Sequence, residues 1–193
     1  MSKNVYIGIN NVLRKVTHMY IGINGVLREI KAGYIGINNV PKQFFYPPYV
    51  RKFQSGTISS SYANINSYSQ TCVDGHWELY MNSTVTISNS SYSTFTEIKV
   101  SSNSESLVGK TVTLTYKLNT YDSSGIIGII SAFNSSNTCI KYQKLSSTSK
   151  TTVTFTVPSN TSWIVVANQI YKNGTYDNTL HIYSLKIDNA VII

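Results

Sequence analysis

Side chains that could perform acid–base or metal chemistry are few in this chain of 193 residues, which has eight acidic residues and three histidines. A glycosidase needs two carboxylates about 5–10 Å apart, and no spacing in the sequence singles out such a pair. His18, His76 and His181 lack the i, i+4 spacing or the cysteine partners of common metal sites. No phosphate-binding glycine loop and no nucleophile elbow is present. The sequence therefore predicts a protein that is not an enzyme.

Sugar binding needs less machinery, because an aromatic ring can stack on a pyranose while amides and hydroxyls bind its edges. The chain has 15 tyrosines and two tryptophans. Trp163 adjoins Ile164-Val165-Val166 and is predicted to be a core residue, whereas Trp77 fits either a core or a binding role. Loops concentrate binding groups, so the candidate carbohydrate-binding residues are Trp77, Tyr121, Asp122, Tyr171, Asn173, Tyr176 and Asp177.

The two cysteines, Cys72 and Cys139, fit no metal-ligand or redox spacing. They could form one disulfide, but we favour two buried thiols. Charge is unevenly placed, since residues 1–54 contain eight cationic residues against Glu29 alone, a net of +7, which leaves +1 for residues 55–193. This division predicts two parts with different partners. No stretch approaches the roughly 18 apolar residues of a membrane span, so we expect no membrane insertion.

A repeat with a period of 14 residues occupies the N-terminal segment, in the copies VYIGINNVLRKV (5–16), MYIGINGVLREI (19–30) and GYIGINNVPKQF (33–44). Each copy has Asn-Asn or Asn-Gly at its centre, residues that tolerate the positive φ angles of a two-residue type I′ turn. Folding copy one about that turn places Ile9 opposite Val12 and Ile7 opposite Arg14. The sequence predicts three β-hairpins that run as one six-stranded meander.

Arg14, Arg28 and Lys42 occupy equivalent positions in the three copies and would form a basic ladder. Two interpretations stay open for this ladder. The side chains could extend along the margin of the sheet into water, or they could contact an acidic partner.

The segment 5–45 resembles the tandem Tyr-Ile-Gly-Val-Asn-Gly type repeats of structural proteins from tailed phages and prophages. That resemblance implies a virion-associated protein. It leaves open which part of the particle holds the protein.

The rest of the chain has the pattern of an all-β protein. Pro47-Pro48 and the surrounding aromatic residues predict a semi-rigid connector at 46–55. From residue 56 to 193, about nine runs of alternating residues are separated by Ser, Asn and Gly, a pattern typical of a β-sandwich. The predicted domains are thus the hairpin-repeat module 1–45, the connector 46–55 and the sandwich 56–193.

Residues 151–193 resemble the closing strands of the carbohydrate-binding-module-like jelly rolls of glycosidases and phage tail proteins. The resemblance implies a jelly-roll-like sandwich and sugar binding. Because related jelly rolls often contain a structural calcium, it also implies Asp188 as a metal ligand. No other cofactor is expected.

Together these features predict a structural protein on the virion surface, homo-oligomeric in the particle. The basic repeats would anchor it to other virion proteins, and the sandwich would bind host-surface glycan; nucleic acid is not an expected partner. The alternatives are a purely structural capsid decoration or baseplate protein without glycan binding, and a glycan-active enzyme.

Overall fold

The structure is a computed structural model that describes residues 48–193 and six strands within residues 6–45. The described residues contain strands and turns and no α-helix, which confirms the all-β prediction. Contacts divide the chain into two compact units. The first is Met1–Val50 with Ser102–Ser106, and the second is Arg51–Ser101 with Leu107–Ile193. The predicted limits of the three domains stay predictions.

Each repeat of the first unit contains two antiparallel strands. Strand β1 pairs with β2 so that Ile9 lies opposite Val12 and Ile7 opposite Arg14, as predicted. Arg28 lies opposite Ile21 and Lys42 opposite Ile35, so the three basic residues occupy equivalent places in the register. The six strands are β1 (Tyr6–Ile9), β2 (Val12–Lys15), β3 (Tyr20–Ile23), β4 (Val26–Glu29), β5 (Gly33–Ile37) and β6 (Val40–Phe45).

The three pairs differ from the predicted meander, because their described strands form three separate two-stranded sheets. Hydrogen bonds within each pair are fixed by the register of its own hairpin, whereas nothing in the repeat requires bonds between pairs. The predicted turn residues Asn10-Asn11, Asn24-Gly25 and Asn38-Asn39 lie outside the described residues, as do the side chains of the basic ladder.

The described residues from 48 onward contain eleven strands. They are β7 (Tyr49–Ile58), β8 (Ala63–Val73), β9 (His76–Val85), β10 (Ser93–Ser102), β11 (Thr111–Leu118), β12 (Ile126–Phe133), β13 (Cys139–Leu145), β14 (Thr151–Thr156), β15 (Trp163–Ile170), β16 (Gly174–Ile187) and β17 (Ala190–Val191). One sheet has five strands in the order β13-β12-β15-β10-β7, and the other has the order β14-β11-β16-β9-β8 with β17 beside β16. Strands β10, β11 and β12 alternate between the sheets, as strands do in jelly rolls, and the predicted β-sandwich is confirmed.

Alternation of apolar and polar residues decides which faces meet. Along β11 the side chains of Val112, Leu114 and Leu118 are fully buried, while the intervening threonines and lysine are partly exposed. Ile164 and Val166 of β15 are buried on the inner face of the other sheet. Burying each such side chain contributes about 1.5–3 kcal/mol, so the register of both sheets is strongly specified.

Two buried asparagines join the sheets through their amides. Asn168 on β15 donates to the carbonyl oxygens of Leu79 at 2.9 Å and Asn178 at 3.0 Å. The Asn178 amide donates in return to Asn168 Oδ1 at 2.9 Å, and its own Oδ1 accepts from the Thr120 amide. Because both side chains are satisfied, burial costs them little, and these amides hold the sheets together inside the sandwich.

Strand β7 begins at Tyr49, so residues 49–55 of the predicted connector lie in a strand of the five-stranded sheet. Pro48 directly precedes the strand, where its missing N–H removes no sheet hydrogen bond. Its carbonyl accepts from the amides of Asn103 at 3.0 Å, Ser104 at 3.2 Å and Glu105 at 3.4 Å. These bonds tie the start of β7 to the segment that follows β10.

The prediction of buried thiols is wrong, because Cys72 and Cys139 are both free and exposed. Cys72 lies on β8 and Cys139 on β13, which are edge strands of different sheets. Edge strands have one neighbour and fewer side chains around them, so an apolar residue there is not necessarily enclosed. The described residues contain no helix that is long and apolar enough to cross a membrane.

Candidate functional site

A groove runs over the outer face of the five-stranded sheet and has a volume of about 740 Å³. The sizes of the side chains create it. The central strands β12 and β15 present the small residues Ser131, Val165 and Ala167 to this face, and larger side chains on β10 and β13 rise on either side. These small residues lie between larger side chains and leave open space over the middle of the sheet.

The strand register orders the floor of the groove in cross-strand rows. The row through Val165 contains Lys99, Ser131 and Tyr142, and the next row contains Glu97, Ala167, Ile129 and Lys144. A third row joins Phe95, Gln169 and Ile127, and a fourth joins Ser101, Trp163, Phe133 and Cys139. The groove therefore has aromatic rings at both ends and hydrogen-bonding groups between them.

The Trp163 ring is half-buried at one end of the groove. The Phe133 ring lies nearly parallel to it, with 6.2 Å between the ring centroids. The Lys99 ammonium sits 3.7 Å from the centroid of the Trp163 ring, close enough for a cation–π interaction. On the neighbouring edge strand, 60% of the Tyr142 side chain is exposed, so this ring is available to a ligand.

Glu97 places a carboxyl group on the groove floor with only 9% of its surface exposed. Burial raises the pKa of this carboxyl, against the opposing effects of a hydrogen bond from Gln54 and the nearby charge of Lys99. Among the residues that line the groove, all within the described part of the chain, Glu97 is the only carboxylic acid. The groove thus lacks the second carboxyl group that glycoside hydrolysis requires.

Tyr171 is the one sequence-predicted binding residue that lines the groove. Tyr121 and Asp122 lie in the loop between β11 and β12, where the Asp122 carboxylate pairs with the Lys172 ammonium and accepts from the Ser124 amide at 2.9 Å. The hydrogen bond from Lys172 and those from Ser124 hold the pKa of Asp122 well below its usual range. Asp122 therefore ties two loops together.

Tyr176 and Asp177 are neighbours in β16 and so point to opposite faces of the sheet. The Tyr176 ring packs against the buried cluster that includes Met81 and Ile170, whereas Asp177 is exposed on the outer face. Asn173 is exposed in the preceding loop. The structure does not bring these three residues together into one site.

The two tryptophans have roles that the sequence does not distinguish. Trp77 lies on the same inner face of β9 as the buried Leu79 and Met81. Its ring stacks on Phe53 with 4.4 Å between the ring centroids. Trp163, predicted to be in the core, lines the groove instead. The run WIVVA is apolar on both faces of β15, which hides the alternation. Apolar residues on both faces of a strand were the available signal that its outer face is covered or forms a groove.

A different cluster lies on the outer face of the six-stranded sheet, where His76, Glu78 and His181 bring three potential metal ligands together. The sequence did not reveal this cluster, because His181 lies about a hundred residues from the other two. Burial lowers the pKa of His181, and the Glu78 carboxylate opposes that shift. Asp188, predicted to bind calcium, instead accepts from the Thr111 amide at 2.9 Å and pairs with the Lys110 ammonium at 2.9 Å; calcium binding stays a prediction.

Neither a protein-family model nor a curated protein matches this sequence. Among similar solved structures, the enzymatically active domain of bacteriophage CBA120 tailspike protein 4 has a TM-score of 0.41 and 6% identity, covering 75% of this chain and 19% of that one. This chain thus spans less than a fifth of that structure's length.

Two other similar structures are carbohydrate-binding modules. One, described as CBM4, has a TM-score of 0.45 and 16% identity over 72% of this chain and 85% of the module. The other, BiXyn10A CBM1, has a TM-score of 0.32 and 8% identity over 70% of this chain and 96% of the module. Scores and identities this low carry no argument about function, so the groove has to be judged by its own geometry.

Proposed function

We propose that this protein binds carbohydrate in the groove of its five-stranded sheet and is not an enzyme. The observation that carries the proposal is the combination of ring faces with hydrogen-bonding side chains in one channel. Trp163, Phe95 and Tyr142 supply the rings, Gln169 lies beside Phe95, and Ser131 lies in the row next to Trp163. Amphipathic sugar rings match this mixture, because their C–H faces stack on aromatic rings while their hydroxyls bind amides and hydroxyls.

The Lys99 ammonium lies over the Trp163 ring in the free protein. A sugar that stacks on this face takes the place of the lysine side chain, which can swing aside on its flexible stem. Lys99 and Lys144 then stand beside the ligand, with Glu97 as the single acidic group. The groove therefore suits neutral or anionic sugars better than cationic ones.

The affinity should be modest, because the groove is open and a flexible lysine has to move. We expect a Kd between about 1 mM and 1 µM for one site, or roughly −4 to −8 kcal/mol. Several copies on one particle would strengthen attachment through avidity.

The setting that we propose is the surface of a tailed-phage or prophage particle. Its support is the resemblance of the 14-residue repeats to those of phage structural proteins, together with the net charge of +7 in residues 1–54. Residues 1–45 would anchor the chain to other virion proteins of a homo-oligomeric assembly, and the groove would take host-surface glycan.

Replacing Trp163 tests the proposal. In a glycan array followed by calorimetric titration of the best ligand, Trp163→Ala should weaken binding at least about tenfold, since stacked aromatic rings dominate small interfaces. Trp163→Phe keeps a ring and should bind with intermediate affinity. Trp77→Phe is the matched control, because Trp77 faces inward and stacks on Phe53, and it should bind like the wild type.

Two results would contradict this assignment. Unchanged binding by Trp163→Ala, with loss in Tyr121→Ala and Tyr176→Ala, would move the site to the loops that the sequence analysis favoured. A silent array, with fragile particles formed by the groove variants, would support the purely structural alternative.

A further inference from the structure

Three potential metal ligands converge on the outer face of the six-stranded sheet, away from the groove. His76 Nε2 lies 3.2 Å from Glu78 Oε1, His181 Nδ1 lies 3.2 Å from the same oxygen, and the two ring nitrogens are 3.1 Å apart. The three atoms form a nearly equilateral triangle. The side chains are 14–27% exposed, so solvent reaches them.

The strand register explains why these side chains meet. Glu78 on β9 and His181 on β16 are direct cross-strand partners, and His76 precedes Glu78 by two residues, so all three point to the same face. β9 starts at His76, immediately after the tight turn Asp74-Gly75, whose residues both have positive φ angles. Two hydrogen-bonded strands therefore hold the three groups in place.

The three atoms cannot all be satisfied by hydrogen bonds to one another, because too few of them carry a hydrogen. His181 Nε2 lies 2.8 Å from Asn119 Oδ1. An amide oxygen only accepts, so Nε2 carries the hydrogen and Nδ1 presents a lone pair to Glu78. His76 Nε2 can donate a single hydrogen, which cannot satisfy both the Glu78 oxygen and His181 Nδ1. A cation just outside the plane of the triangle could accept a lone pair from each of the three atoms.

The spacing fits a small transition-metal ion. Nitrogen and oxygen ligands bound tetrahedrally to Zn²⁺ at about 2.0–2.2 Å lie roughly 3.3 Å apart, close to the observed 3.1–3.2 Å. Two imidazoles favour zinc over calcium or magnesium, which prefer oxygen ligands. The bond from His181 to Asn119 also orients the ring, as partners of metal-bound histidines commonly do.

We propose that His76, Glu78 and His181 form a Zn²⁺ site that leaves one coordination position to solvent. The metal links β9 to β16 and offers its fourth position to water or to a donor atom of a partner. The site is independent of the sugar-binding groove, which lies on the other sheet.

The test is a calorimetric titration of ZnCl₂ into the full chain, purified without a histidine tag and stripped with EDTA. We expect saturation at about one Zn²⁺ per chain, and an excess of Ca²⁺ should not compete for this site. His76→Ala and His181→Ala should each weaken Zn²⁺ binding at least about tenfold. His18→Ala is the matched control, because it removes the remaining histidine of the chain, and it should bind normally.

Two further measurements keep the test decisive if an alanine variant folds poorly. Glu78→Gln preserves the shape of the side chain and should also weaken binding, and Co²⁺ bound to the wild type should give the visible absorption bands of a tetrahedral site. No saturable Zn²⁺ binding by the wild type would overturn the proposal. So would normal binding by a folded His76→Ala/His181→Ala double variant.

Discussion

Glu97 is a buried carboxylic acid on the floor of the groove, so its ionisation affects both the stability of the fold and the charge of the groove. Its carboxyl group is largely enclosed between Gln54 and Lys99, and burial raises its pKa above the ordinary value of 4.5. The free-energy cost of ionising Glu97 is therefore higher in the folded state than in the unfolded state. Stability contributed by the protonated group is present below pH 4.5 and is lost as the pH rises through the raised pKa.

Replacing this carboxyl by a neutral amide should stabilise the protein near neutral pH. Glu97→Gln removes the ionised group from the groove floor, and its amide oxygen can still accept from Gln54. The melting temperature of the variant should exceed that of the wild type at pH 7, and the difference should shrink as the pH falls towards 4. Differential scanning calorimetry across this range checks it; a difference that is constant with pH would show that burial of the charge is not the cause. Asp177→Asn, at an exposed acid outside the groove, is the control.

The sequence predicted the kinds of residues at the site better than their positions. It expected aromatic rings beside amides, and the groove has both. Of its residues only Tyr171 lines the groove, because composition indicates chemistry while the register decides which face a side chain occupies. A run such as WIVVA gives no alternation from which to read that face. The histidine cluster was missed for a related reason, since cross-strand pairs join residues far apart in the chain.

At the scale of the strands, prediction succeeded wherever apolar and polar residues alternate. Two of the nine predicted runs show this alternation, 111–119 and 151–158, and they correspond to β11 and β14. The predicted run 162–171 does not alternate, but its length and apolar content matched β15. Strands β7 and β8 were missed because they lie at the sheet edges, where both faces contain polar residues. The Asp74-Gly75 turn that joins β8 to β9 is a common hairpin signal, and it marks the residue after which β8 ends.

The loop from β11 to β12 crosses between the sheets, and Gly125 is packed where it passes the loop after β15. A Cβ atom on Gly125 would lie 2.5 Å from the backbone nitrogen of Lys172, and the Gly125 carbonyl accepts from the Tyr171 amide at 2.7 Å. Gly125→Ala should therefore lower the free energy of unfolding by about 1–3 kcal/mol, because backbone cannot move aside cheaply. Chemical denaturation measures the loss.

Ser123→Ala is the matched control for this loop. Ser123 is exposed two residues earlier, and its replacement should change stability by no more than about 0.5 kcal/mol. Equal effects of the two substitutions would mean that the close approach to Lys172 is not what fixes the loop.

For the whole molecule, the composition predicted an all-β chain and a sandwich, and both are confirmed. The sheet pairing could not be predicted, because β-sandwiches pair strands that are distant in sequence and many orders satisfy the same alternation. In the repeats, the register of each strand pair agrees with the prediction. The single meander did not follow, because no feature of the repeat specifies bonds between hairpins.

Removing residues 1–47 should separate folding from anchoring. A chain that starts at Pro48 keeps β7 and the bonds from the Pro48 carbonyl to the 103–105 amides, so its melting temperature should match that of the full chain. Under the proposed anchoring role, it should bind glycan but fail to join particles. A chain that starts at Ser59 removes β7 and exposes the edge of β10, and it should be clearly less stable. Normal incorporation of the shorter chain into particles would refute the anchoring role.

Arg51 at the start of the second unit lies close to Ile192. The Arg51 guanidinium on β7 donates to the Ile192 carbonyl, and the amides of Ile192 and Ile193 pair with Leu185 at the end of β16. A few glycines could therefore join residue 193 to residue 51, and new termini could open in the exposed loop at Thr148-Ser149. The fold is suited to circular permutation, and for the same reason to insertion as a cassette into a surface loop of another protein.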